Sequence, residues 1–115
     1  MHMSNINVKK LIEERKQLLE ELSNLDHLLH GSWLERYSTC SRKNCKCHSG
    51  ELHGPRYYLV VNKSGRQKQN YIPVGQKKAA MAGVKQGNRM LEIVEAVTQI
   101  NLQLLKEGVY DDGAK

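Results

Sequence analysis

The leucines place the strongest constraint on what this chain can fold into. Of fourteen, eleven fall between Leu11 and Leu29 or between Leu91 and Leu105. There is no Phe and one Trp beside five Tyr, so the apolar surface is mostly aliphatic and sits in two segments near the ends. That distribution suits neither a sandwich nor an α/β sheet, in which apolar residues recur along the whole chain. At 115 residues the chain has the size of one domain, too short for an enzyme with a separate cofactor fold.

Val8, Leu11, Leu18, Leu22, Leu25 and Leu29 recur in steps of three and four once Arg15 takes one seam position. Ile12, Leu19 and Leu28 widen the stripe. The spacing predicts an amphipathic helix over 5–30, stopped by Gly31. A second stripe, Met90, Ile93, Val97, Ile100 and Leu104, flanked by Leu91, Val94, Leu102 and Leu105, predicts a helix over 76–107. Gly83 and Gly87, each costing ~1 kcal/mol in a helix interior, should weaken or kink its upstream half. Gly108 ends it, and 108–115 reads as a flexible tail. Neither stripe can be buried alone, so the helices are expected to pack as an antiparallel or dimeric coiled-coil-like bundle.

Residues 31–75 differ sharply in composition. They hold eight basic and two acidic groups, which accounts for the whole net charge of +6. Five of the six aromatics lie there too. Arg56–Val61 reads as a strand, Asn62–Gly65 as a turn with Gly65 at positive φ, and Gln67–Val74 as the returning strand. Trp33–Ser38 adds a third short strand. Tyr57, Leu59 and Val61 alternate onto one face and form the expected small core. The class is therefore α+β: helix, β-module over 31–75, helix, in a single domain over 1–115. No apolar run is long enough to span a bilayer and no basic-then-hydrophobic leader opens the chain, so a cytoplasmic protein with no membrane partner is expected.

All three cysteines fall within eight residues, Cys40, Cys45 and Cys47, followed by His48 and His53. This Cys3His inventory matches the tetrahedral thiolate and imidazole sets that hold structural Zn²⁺. Asn44, Ser49, Gly50 and Gly54 supply the turn residues such a loop needs. An odd cysteine number in a cytosolic chain argues against a closed disulfide framework. The other readings are three unliganded thiols, and a redox switch whose thiolate Arg42, Lys43 and Lys46 would stabilise. The same cations would help neutralise a zinc tris-thiolate. His48 adjoins Cys47, so both on one metal would be strained; His53 is the better fourth ligand, with His48 the alternative. His27 and His30 suit solvent near the negative end of the first helix.

Several elements together resemble a known family. They are Glu35-Arg36-Tyr37, Cys40-x4-Cys45-x-Cys47, Gly50-Glu51-Leu52-His53-Gly54-Pro55-x-Tyr57-Tyr58-Leu59, and the Gly65 turn before Tyr71-Ile72-Pro73-Val74. The family comprises small bacterial and archaeal proteins catalogued as a domain of unknown function, with a C-G-K-x-N-C-R-C-A core, then G-E-x-H-G-P, an aromatic strand, a hairpin and a long helix. The similarity covers about residues 31–105. It implies zinc held by Cys40, Cys45, Cys47 and His53, and a mobile-element context, with no established activity to transfer. Ser41 stands where the family usually has Gly, and His48 where it usually has a small residue, which keeps His48 open as a ligand or an added nucleic-acid contact.

Clustered cations among aromatics are what a nucleic-acid surface needs. Arg36, Arg42, Lys43, Lys46, Arg56, Lys63, Arg66 and Lys68 are the candidate phosphate contacts, on DNA in preference to RNA, with a structural Zn²⁺ shaping the loop. The bland alternative is a solvated basic face over a core that uses the tyrosines. A second reading is a homodimer or protein-interaction adaptor assembled through the helices with a purely structural zinc knuckle. A third is a small metal-dependent nuclease. The ligand set leaves no open coordination position, and Glu35 and Glu51 are the module's only carboxylates, so a non-enzymatic role is expected.

Overall fold

The computed structural model describes residues 4–39, 44, 46–50 and 52–111; at 4–7, 47 and 49 it describes the backbone alone. Element order is α1 (Ser4–Ser23), β1 (Ser32–Ser38), a 3-10 turn (Lys46–Ser49), β2 (His53–Lys63), β3 (Arg66–Ile72), a 3-10 turn (Val74–Gln76) and α2 (Lys77–Lys106). The class is α+β, with a three-stranded antiparallel sheet between two helices in the sequence.

α1 follows the first leucine stripe but ends at Ser23, short of the expected 5–30 span. The cause is local. The Ser23 hydroxyl and the Asn24 side-chain amide donate to the Glu20 carbonyl at 2.7 and 3.1 Å. Ser and Asn compete in this way for helix carbonyls. The backbone tightens to i−3 bonds, Asn24 N–H to Glu21 at 3.0 Å and Leu25 N–H to Leu22 at 3.1 Å. Gly31, expected as the helix stop, serves packing instead: a Cβ there would lie 2.6 Å from the Val60 carbonyl oxygen and 3.1 Å from Leu59 Cγ.

α2 matches its expected span and runs unbroken through Gly83 and Gly87, where a weak or kinked middle was expected. Both glycines are buried, and the Gly83 carbonyl also accepts the Leu29 N–H at 2.9 Å. Tertiary packing offsets their poor propensity, as it does for most helices in proteins. Gly108 ends the helix at φ +75. Val109 N–H returns to the Leu104 carbonyl at 3.0 Å and Gly108 N–H to Leu105 at 3.1 Å, the bond pair of a Schellman cap.

The chain divides into two compact units, one of α1 with α2 from Gln86 onward, the other Leu29–Lys85. In the first, Glu21 takes two bonds from Arg89 at 2.6 and 2.7 Å, and Arg15 donates to Asn101 Oδ1 at 2.8 Å. Rising numbers in α1 meet falling numbers in α2, so the two run antiparallel. Arg15 fills its seam position through that bond. Ile93, Ile100 and Leu104 are buried there.

In the second unit the strand order is β1-β2-β3. The two-residue turn Ser64-Gly65, at φ +53 and +80, has the left-handed pair that lets adjacent twisted strands close on each other. It sets the register Lys63↔Arg66 through Tyr57↔Ile72. On the inner face Tyr57 and Leu59 are buried and Val61 is half-buried. Trp33 stacks on Tyr57 at 5.6 Å. Lys77, the first residue of α2, sets its ammonium 4.7 Å from the Tyr57 ring centroid.

Candidate metal loop and outer sheet face

The segment between β1 and β2 carries the metal-ligand candidates. Its base is pinned by the pairing Ser38↔His53, beyond a register shift between Arg36 and Ser38. Gly54 follows at φ +130, where a Cβ would lie 2.8 Å from the Arg36 carbonyl oxygen, and its bond to Pro55 is cis. The close approach of β1 explains the glycine beside His53. His53 opens β2 at that pairing, and in the sequence Cys40 follows two residues after Ser38. Cys47 and His48 share the 3-10 turn Lys46–Ser49, and His48 is exposed. Cys40, Ser41, Arg42, Lys43, Cys45 and Glu51 lie outside the described residues. Three thiols and an imidazole within fourteen residues of sequence are a donor set whose chemistry fits Zn²⁺.

The structure separates the cations that the sequence groups together. Arg36 and Arg56 are directly opposed across β1 and β2, and both are exposed. Lys63, Arg66 and Lys68 alternate onto the other face at the turn end of the hairpin. Lys46 stands on the 3-10 turn, exposed. Arg36 and Arg56 share a surface with Tyr58 and the exposed Tyr71.

That surface is the outer face of the sheet, with Leu34 opposite Tyr58 and Tyr58 opposite Tyr71. The Arg36 guanidinium carbon lies 5.5 Å from the Tyr58 ring centroid, and Arg36 also donates to Gln69 Oε1 at 3.2 Å. Tyr58 meets Tyr71 edge-on at 5.8 Å, and Tyr71 keeps 56% of its surface exposed. Like charges directly opposed across strands destabilise a sheet. Among the described residues neither Arg36 nor Arg56 has an ion pair, and Glu35 is on the inner face, bonded by Trp33 Nε1 at 3.3 Å. The candidate contacts read from the sequence do not include the two tyrosines that share a surface with Arg36 and Arg56. The signal for this cluster was present: the Ser64-Gly65 turn sets Tyr58 against Tyr71, and period two separates Tyr58 from the buried Tyr57.

No helix among the described residues is long and apolar enough to cross a membrane. One family model, described as a domain of unknown function (DUF6788), matches residues 8–81. No curated protein and no solved structure matches the chain.

Proposed function

We propose, from the premise that the chain belongs to the family of unknown function whose model spans residues 8–81, that this is a non-enzymatic nucleic-acid-binding protein. The outer sheet face and the adjoining loop are its contact surface. The observation that carries this reading is the cluster of Arg36, Arg56, Tyr58 and Tyr71: two cations opposed on a sheet face with no ion pair among the described residues, one lying over Tyr58, which meets the exposed Tyr71 edge-on. Phosphate binding repays the repulsion between the arginines, and a tyrosine ring offers a base a stacking surface. Arg42, Lys43 and Lys46 extend the charge along the loop. A structural Zn²⁺ on Cys40, Cys45, Cys47 and His53, with His48 the alternative fourth ligand, would hold that loop in one shape.

Binding of the zinc-loaded chain to labelled duplex DNA, single-stranded DNA and RNA at two salt concentrations tests the reading. Affinity should fall steeply with salt, each phosphate contact adding ~0.9 to the logarithmic slope on duplex and ~0.7 on single strands. Arg36→Gln with Arg56→Gln should reduce that slope by about two contacts. Arg42→Gln with Lys43→Gln and Lys46→Gln should flatten it further. Absence of binding at low salt would make the charge a solubility feature and sink the proposal.

A further inference from the structure

We infer that a second copy of this chain packs on the face of α2 formed by Leu91, Val94, Thr98, Leu102 and Leu105, with the two α2 helices antiparallel about a two-fold axis at Thr98. This goes beyond the nucleic-acid reading and does not depend on it.

α2 carries two apolar stripes. Ile93, Ile100 and Leu104 are buried, with Met90 and Val97 half-buried, which is the stripe spent inside the helical unit. Leu91, Val94, Leu102 and Leu105 each keep between 44% and 54% of their surface exposed. At ~100° per residue they centre about 130° around the helix from the first stripe. Thr98 lies among them with its hydroxyl donated to the Val94 carbonyl at 2.7 Å, so it leaves no unmet donor for a partner to satisfy. The same face is buried further up α2, at Ala80, Gly83 and Gly87, and loses its cover from Leu91 onward. The inner core is thin as well. Among the described residues of α1 no hydrophobic side chain is fully buried.

Spacing selects the occupant. The steps from Leu91 to Leu105 are three, four, four and three, the same read in either direction. Reversal about Thr98 sets Leu91 against Leu105, Val94 against Leu102 and Thr98 against itself, the self-complementarity that an isologous two-fold contact requires. Charge agrees. Glu92 and Glu95 flank one end of the stripe and Lys106 the other, all on one side of it. In an antiparallel pair like flanks meet, so Lys106 of the second copy comes beside Glu92. A parallel pair brings no opposite charge to either glutamate.

Sedimentation of the full-length, zinc-loaded chain over a range of concentrations should give the mass of two chains. Val94→Glu with Leu102→Glu should give one chain with the helical circular dichroism retained. Thr98→Lys, which sets two like charges at the axis of an exposed position, should do the same if the double variant loses its helical signal. Mild oxidation of Leu91→Cys mixed with Leu105→Cys should link the two chains above the background of the unsubstituted protein, and Leu91→Cys alone should not. A monomer at every concentration, a dimer indifferent to these charges, or self-linkage of Leu91→Cys would each overturn the proposal. None of these results bears on whether the sheet binds nucleic acid.

Discussion

Individual residues here are chosen by close approach as much as by local propensity. Gly31 and Gly54 both sit where a Cβ would press into a backbone carbonyl, of Val60 at 2.6 Å and of Arg36 at 2.8 Å. Backbone carbonyls in a paired sheet cannot swing aside as a flexible side chain can. Gly31 has no positive φ, so Gly31→Ala isolates the steric effect. That variant should lose more than about 1 kcal/mol, since an alanine that the native backbone cannot accept outweighs its gain in unfolded-state entropy. Chemical denaturation checks this, and an unchanged midpoint would mean that β2 shifts freely at Val60.

At the level of elements, α1 is joined to α2 by few but specific polar bonds over a half-buried leucine stripe. The Arg89 guanidinium, hydrogen-bonded to Glu21, holds the Glu21 carboxyl below its ordinary value, partly opposed by desolvation. The same bonds, with the one to Glu92, hold the Arg89 proton more tightly. A carboxyl whose folded pKa is depressed favours folding at pH above its unfolded pKa, and that contribution is lost as pH falls through the folded value. Glu21→Gln should therefore melt at lower temperature than the unsubstituted chain at neutral pH. The gap should close in acid below the carboxylate range. A gap equal at both pH values would assign the loss to packing instead of charge. The early end of α1 has the same local origin: Ser23 and Asn24 take the Glu20 carbonyl, and the remaining leucines run on outside the helix.

For the whole molecule, the division into a helical unit and a sheet unit makes the expected effect of the proposed metal selective. Among its described residues the buried hydrophobic side chains of the sheet unit are Tyr57, Leu59 and Ala80, a small core for an independent fold. A structural metal commonly supplies the missing stability in such a module. One zinc per chain is expected by elemental analysis, and its removal by a chelator should abolish the near-ultraviolet signal of Trp33 and Tyr57 while leaving most of the helical signal. Cys45→Ser should behave like the chelated protein. Stoichiometric zinc retained in that variant would refute the ligand assignment.

The sequence by itself determined those features whose cause is local or periodic. Two apolar stripes imply two helices, Gly108 ends the second, and alternation around the Ser64-Gly65 turn implies the hairpin and its buried Tyr57 and Leu59. The cysteine spacing suggests a ligand set from sequence alone, and the proposed metal site rests on that spacing. What only the tertiary structure decided is which surfaces are spent. Leu91, Val94, Leu102 and Leu105 look in sequence like a widening of the inner stripe, yet they form a separate exposed one. Eight cations look like one patch, yet strand register sends Arg36 and Arg56 to one face of the sheet and Lys63, Arg66 and Lys68 to the other. Periodicity specifies which residues share a face of one element; it carries no information on which neighbour covers that face, because burial is set by contacts between residues far apart in the chain.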